Sequence, residues 1–246
     1  MIKIVPESVP IDYTIPYPQD FTFIIGHKEL EFDGFQDISL RQYITDQNVP
    51  GFIQIKSEYD SRVLGELPFW KWAATQIRDE DTATINHYRR KTNPTMAKVM
   101  VPEPMPLKVS ILEQTAYYHS PKVADALLKA LPPDESNILR GNMFFPYNIA
   151  KMPRKLIWEY VNFIEPRLLR TMEILGCPLD YCGALEFMKN DPSFTTPIEG
   201  KNTDPKYQCR IGGCIMERLS TIFFNKLTQV PKEFKKVSLL EKGQKI

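Results

Sequence analysis

The chain is poor in cysteine, with four in 246 residues, too few for a disulfide framework at this length. They fall in two pairs, Cys177 with Cys182 and Cys209 with Cys214, each spaced slightly wider than a usual structural zinc pair. Cysteine is also among the most buried residue types as a plain small hydrophobe, and Cys214 sits in an apolar helical pattern. Packing is therefore the favoured reading over zinc. Long hydrophobic runs are missing too. None approaches the roughly 18 residues a membrane helix needs, so no transmembrane segment is expected. The first residues include Lys3 but no apolar core or small-residue cleavage site, so a secretory leader is not expected and a cytoplasmic location is. Net charge is nearly absent: 31 basic against 30 acidic side chains leave +1. No global field marks the chain as a nucleic-acid binder, and any such argument must rest on local patches.

What is present reads as one sizeable α/β domain. Hydrophobic residues make up 43% and charged residues 25%, proportions ordinary for a globular protein with a full core. Residues 1–20 carry Pro6, Pro10, Pro16 and Pro18 among Val, Ile and Tyr, which predicts an extended surface arm. The domain proper is expected over 21–229, with a basic tail over 230–246.

The stretch from Thr82 to Lys91 organises the rest. A β-favouring run, Thr82 to Ile85, passes into His87, Tyr88, Arg89, Arg90 and Lys91 without a turn dipeptide. In an open α/β sheet the ligand crevice lies at the carboxyl ends of the strands, so such a strand aims its donors there. Adjacent guanidiniums, rigid forks of N–H donors charged at any working pH, suit a diphosphate. The alternative is a solvated basic turn after an edge strand. A second apolar run, Phe21 to Ile25, has the character of a central parallel strand and ends in Gly26, His27 and Lys28. Either Gly26 lets a ligand approach while His27 and Lys28 contact its base or phosphate, or the segment is a capped surface turn.

Elsewhere helical spacing dominates. Leu67, Trp70, Ala74 and Ile77 predict a helix over 66–77 opened by Pro68. Asp79, Glu80 and Asp81 follow it. An Asp-x-Asp triplet could hold a manganese or magnesium ion against a diphosphate, but this one precedes its strand and reads as a solvated loop. A short helix over Ile111 to His119, an amphipathic one over Pro121 to Leu131, and a long one from Pro153 to about Leu175, kinked at Pro166, are scaffold. Between them Asn142, Tyr147 and Asn148 flank a short apolar strand and could orient a polyhydroxyl ligand, or serve the turn around Pro146. Residues 183–208, rich in turn pairs such as Asp191-Pro192 and Asp204-Pro205, read as a long loop over a site. Gly212 and Gly213 then precede a helix reaching Lys226 that carries Glu217 and Arg218; the glycines would permit close approach of a ligand.

The order of these blocks resembles a family of small glycosyltransferases encoded in capsular and exopolysaccharide gene clusters, some of whose members are similar to galactofuranosyltransferases. The match runs over about residues 21–226. It comprises the first strand with His27-Lys28, Glu66-Leu67 with Trp72, the His87-Tyr88-Arg89-Arg90 motif, Glu113 to His119, Asn142-Met143-Phe144, and Gly213 to Leu219 with Glu217 and Arg218. All three histidines lie in these blocks. Two departures, at 52–62 and at the longer 177–208, bear on the acceptor more than the donor.

The resemblance implies a GT-A-like nucleotide-sugar transferase fold, a mixed sheet flanked by helices, with a uridine diphosphate sugar at the strand ends. Glu217, the acid in the late glycine-preceded helix, is the expected catalytic base, the alternative being a structural carboxylate paired within its helix or with an arginine. Donor binding falls to His27, Lys28, His87, Tyr88, Arg89, Arg90 and Arg218, and acceptor binding to Asn142, Tyr147, Asn148 and His119. No metal ligand is assigned. The expected acceptor is a glycan. One alternative is the hydroxyl of a hydroxymethylated DNA base, held by Lys226, Lys232, Lys235, Lys236, Lys242 and Lys245; another is a nucleotide-sugar binding module without turnover.

Overall fold

A computed structural model describes residues 14, 18–27, 39–92, 95–227 and 230–239. Most of the expected N-terminal arm, Lys28, and residues 240–246 with Lys242 and Lys245 lie outside the described residues.

Strand β1 (Asp20–Ile25) is the apolar run met first in the sequence, buried from Phe21 onward. On one side it pairs in parallel with β2 (Leu40–Thr45), which is followed by β3 (Ile53–Gln54). Two helices come next, the one-turn α1 (Ser61–Leu64) and α2 (Leu67–Gln76) with its early proline. The chain returns as β4 (Thr82–His87), parallel to the other side of β1. Short strands β5 (Arg90–Lys91), β6 (Met100–Pro102) and β7 (Met105–Pro106) lead to α3 (Ile111–Tyr118), α4 (Pro121–Ala130) and α5 (Pro133–Leu139). Then come β8 (Met143–Phe144), β9 (Ala150–Pro153) and the long α6 (Arg154–Leu175). The last third holds α7 (Tyr181–Asn190), α8 (Pro192–Thr195), α9 (Pro205–Gln208), α10 (Ile211–Lys226), β10 (Glu233–Lys235) and β11 (Ser238–Leu239).

The main sheet has seven strands in the order β10-β6-β9-β4-β1-β2-β3. It is mixed: β9 runs antiparallel to both β4 and β6, while β10 lies parallel to β6. Parallel central strands buried on both faces need continuous apolar sequence, which β1 supplies. Helix α6 packs on α2, α4 and α10, so the core is sheet, α6 and those three helices. It passes through Pro166 as one helix and ends at Gly176, whose φ of 72° is the left-handed closure glycine permits.

Three expectations change. Residues 183–208 are not a loop throughout. Asp180, Asp191 and Asp204 each accept a backbone N–H of the helix they precede, and Pro192 and Pro205 take its first turn. The Asp-Pro pairs that read as turns are helix starts, and Ala184, Met188 and Phe194 join the core. Asp81 is not solvated: it is 0% exposed and accepts the backbone N–H groups of Gln19 at 2.7 Å and Arg78 at 2.9 Å and the Arg78 guanidinium. Finally, the boundary at 229/230 does not end the fold, because β10 extends the sheet and β11 pairs antiparallel with β5.

Candidate functional site

The register of the sheet builds the site. Ile25 at the end of β1 stands opposite His87 at the end of β4, so the two strand ends finish together. The rings of His27 and His87 lie 6.1 Å apart. Beyond them opens a cavity of about 320 Å³ lined by His87, Arg89, Arg90, Arg210, Glu66 and Glu217, among others. That volume is on the scale of a small-molecule site, about 300–1,000 Å³.

Three guanidiniums face this cavity, and none has a carboxylate partner among the described residues. Arg89 lies over the Tyr88 ring at 5.4 Å and Arg90 over the Tyr147 ring at 3.9 Å, so aromatic faces rather than counter-ions position them. Strand β11 holds the Arg90 backbone from the opposite side: Leu239 pairs with Arg90 and also lines the cavity. Burial, and then the charges of Arg89, His27 and Arg210, push the His87 pKa down to about 2. His87 is neutral at any working pH, with Nδ1 accepting the Arg89 backbone N–H at 3.3 Å and Nε2 buried with no partner among the described residues. His27 is likewise lowered, burial outweighing the opposing Asp46 charge.

Two carboxylates close the other side. Glycines bring them together, and two of these, Gly65 and Gly213, also line the cavity, where Gly213 was expected to meet a ligand. A Cβ on Gly65 would lie 2.6 Å from the Gly213 Cα, and one on Gly212 would lie 2.4 Å from the Val63 carbonyl oxygen. The end of α1 therefore crosses the start of α10 at backbone contact, which sets Glu66 beside α10. Gly26, read either as admitting a ligand or as part of a capped turn, is covered by the Phe52 ring.

Both carboxylates grip one turn. Tyr147 and Asn148 have φ of 79° and 50°, the left-handed region that costs a non-glycine residue energy unless its surroundings fix it. Glu217 Oε1 accepts the Tyr147 backbone N–H at 2.9 Å, and Glu66 Oε2 accepts the Asn148 amide at 2.8 Å. The Asn148 amide oxygen accepts the Ser220 hydroxyl, which meets the buried Tyr160 hydroxyl. Desolvation raises the Glu66 pKa to about 7 against the Asn148 hydrogen bond, with the Glu217 charge adding to the rise.

The other expected site residues separate. His119 lines the cavity, with Nδ1 3.1 Å from the Gln208 amide oxygen and its pKa lowered to about 3 by burial and then by Arg218. Tyr88 packs beside Ile24 and Tyr43 and supports Arg89 from behind. Arg218, expected at the diphosphate, is 3% exposed and donates to Thr115 Oγ1, the Cys214 carbonyl, Gln114 Oε1 and Glu217 Oε2. It holds Glu217 rather than facing the three-arginine cavity. Asn142, expected at the acceptor, exchanges hydrogen bonds with Leu107 in an exposed turn away from the cavity. Glu113 caps α3 in a reciprocal box with Ser110.

The basic end of the chain is partly neutralised: Lys226 pairs with Asp134 and Glu135, Lys232 donates to the Phe224 carbonyl, and Lys235 pairs with Glu233. Residues absent from the sequence expectation are Arg210, Tyr207 and Leu239. Arg210 sits two residues before Gly212-Gly213, a signal that could have found it; Leu239 reaches the cavity only through a distant strand pairing.

A seven-stranded mixed sheet flanked by helices, with a crevice at the carboxyl ends of its parallel strands, is a mixed α/β fold of the GT-A-like kind. Among solved structures the chain is similar to one described as "WbbM bifunctional glycosytransferase apo structure", with a TM-score of 0.60 and 12% identity over 92% of this chain and 46% of that one. The chain thus spans about half the length of that protein. No protein-family model matches the chain, and no curated protein sequence does.

Proposed function

We propose that the chain is a glycosyltransferase that moves a sugar, of the furanose kind suggested by the capsular family it resembles, from a uridine diphosphate donor to an acceptor hydroxyl. The observation that carries this reading is the cavity at the strand ends, in which Arg89, Arg90 and Arg210 make no salt bridge among the described residues. Guanidiniums without counter-ions favour a ligand of high negative charge, and a diphosphate offers paired oxygens to their forks. Fold likeness to a glycosyltransferase supports the same reading.

The acceptor oxygen forms a bond to the anomeric carbon while the bond from that carbon to the diphosphate breaks, its electron pair leaving on the diphosphate oxygen. Glu217 takes the acceptor's proton. The arginines stabilise the charge on the departing nucleotide. Neutral His87 adds no charge there, and its ring lies 4.6 Å from that of Tyr88. The Asp79–Asp81 pair does not fit a manganese or magnesium site, since Asp79 binds Arg154 at 2.6 Å and both Asp81 oxygens are taken. Asp81→Asn is expected to leave donor binding intact; manganese-dependent binding lost in that variant would contradict the assignment.

Thermal shift against a set of nucleotide sugars, followed by turnover of the labelled binder, tests the whole reading. A uridine diphosphate sugar is expected to raise Tm, by about 2.7 kcal/mol of stability at a hundredfold excess over Kd, and to be consumed in the presence of acceptor. Binding without turnover in any condition makes the chain a nucleotide-sugar binding module instead.

A further inference from the structure

A second cavity, of about 280 Å³, adjoins the first and shares His119, Tyr207 and Glu217 with it. Its remaining wall includes Gln114, Tyr118, Phe144 and Asn202. Glu217 stands between the two with its oxygens committed to opposite sides. Oε1 is tied to Tyr147, which lines the first cavity, and Oε2 to Arg218, which lines the second.

The chemistry of the two walls differs. The first offers three guanidiniums without counter-ions. The second contains one guanidinium, Arg218, already engaged by Glu217, Gln114, Thr115 and the Cys214 carbonyl. What it presents instead are amides and phenols. Gln114 gives its oxygen to Arg218, leaving the amide N–H groups, and Asn202 gives its oxygen to the Asp204 backbone N–H, leaving the same. The hydroxyls of Tyr118 and Tyr207, 42% and 46% exposed, make no hydrogen bond among the described residues. Neutral donors beside aromatic faces match a ring carrying many hydroxyls, each both donor and acceptor, and do not match a phosphate.

The wall is also braced. Gln208, 0% exposed, donates to the Tyr118 and Asn202 carbonyls and accepts at the His119 ring. One buried amide therefore ties α3 to the 202–208 segment and fixes the spacing of the facing side chains.

We propose that this second cavity is the acceptor site, taking a saccharide whose reacting hydroxyl is presented to Glu217. The inference rests on the glycosyltransferase reading for the reaction, but its binding claim is separable from it. The acceptor O–H proton passes to Glu217 as the oxygen bonds to the anomeric carbon of a sugar held in the first cavity, so each cavity supplies one reactant and Glu217 is their common wall. This replaces Asn142 as an acceptor contact and keeps His119.

The test uses the full chain with Tyr118→Ala and Asn202→Ala, each verified by its melting temperature. Uridine diphosphate is titrated by calorimetry. A panel of octyl hexopyranosides and hexofuranosides is then measured by saturation-transfer NMR in the presence of that nucleotide. The expected result is that a glycoside binds the wild type and loses at least tenfold in affinity in a folded variant, while nucleotide affinity stays within twofold. Unchanged glycoside affinity in the folded variants, or no glycoside bound by the wild type, overturns the proposal even when the nucleotide binds. Glycoside binding that is lost in the variants without any nucleotide binding supports the saccharide site and contradicts the glycosyltransferase reading.

Discussion

Two groups of basic residues, built from the same side chains, behave oppositely. At the junction of α5, α6 and α10, Glu135 is buried and accepts both prongs of Arg167, at 2.7 and 2.8 Å, and Lys226 at 2.9 Å. Asp134 takes Lys226 as well, and Arg167 lies 3.9 Å over the Phe163 ring. Every charge there has a partner on a neighbouring element. At the strand ends, Arg89, Arg90 and Arg210 crowd one cavity with no carboxylate of their own among the described residues. Partnering, not composition, separates the group that holds helices together from the one available to an anion. Arg218 shows the intermediate case: adjacent to the cavity, yet spent on holding Glu217.

The largest expected effect belongs to Glu217, the proposed base. Glu217→Gln keeps volume and reach but cannot take a proton at neutral pH, so kcat should fall by about 10² to 10⁴ with donor affinity nearly unchanged. An early-melting variant with near-normal turnover would make Glu217 a brace for Tyr147 and Arg218 alone. On the paired side, Glu135→Ala should cost about 1 to 3 kcal/mol in urea unfolding and leave nucleotide binding alone, because it strands Arg167 and Lys226. The Glu135 pKa is lowered, burial being outweighed by hydrogen bonds from those two residues. That contribution is therefore present above the unfolded value of 4.5 and lost as pH falls through the folded one. Wild-type stability near neutral pH should exceed that of the variant by more than it does in acid.

Glu66 gives the opposite sign. Its pKa rises from 4.5 to about 7, so the folded state holds the extra proton between those values and stability drops as pH climbs through that window. Glu66→Gln should be more stable than wild type at pH 8, by about 1 to 3 kcal/mol, and the gap should shrink towards pH 4.5. Denaturant midpoints across pH measure it; a variant less stable at pH 8 would mean the ionised Glu66–Asn148 contact outweighs the desolvation.

Much of this frame was legible in the sequence. The apolar run at β1, the Thr-rich run of β4 and the helical spacing of α2, α3, α4 and α6 are local signals, and local signals carry through to the fold. The His87–Arg90 motif points to the crevice because the carboxyl end of a parallel strand opens on it; His87, Arg89 and Arg90 line the cavity, while Tyr88 packs beside Ile24 and Tyr43. Failures came where meaning depended on a distant partner. Gly212 and Gly213 read alike in sequence, but Gly212 is needed for the contact with Val63 while Gly213 lines the cavity. Arg218 and Arg90 are alike in sequence, and only the positions of Gln114, Thr115 and Glu217 show which one is committed. The last strand, through which Leu239 reaches Arg90, leaves no local trace at all.

The central claim is that the strand-end arginines bind a diphosphate and do not stabilise the fold. Calorimetric titration of uridine diphosphate into wild type and into Arg89→Ala, Arg90→Ala and Arg210→Ala, with a melting curve for each, tests it most directly. The account predicts that each variant loses about 1.5 to 3 kcal/mol of binding, the scale of charged hydrogen bonds, at a melting temperature equal to or above that of the wild type. Unchanged nucleotide affinity in all three variants, or losses that track falling melting temperatures, would contradict it.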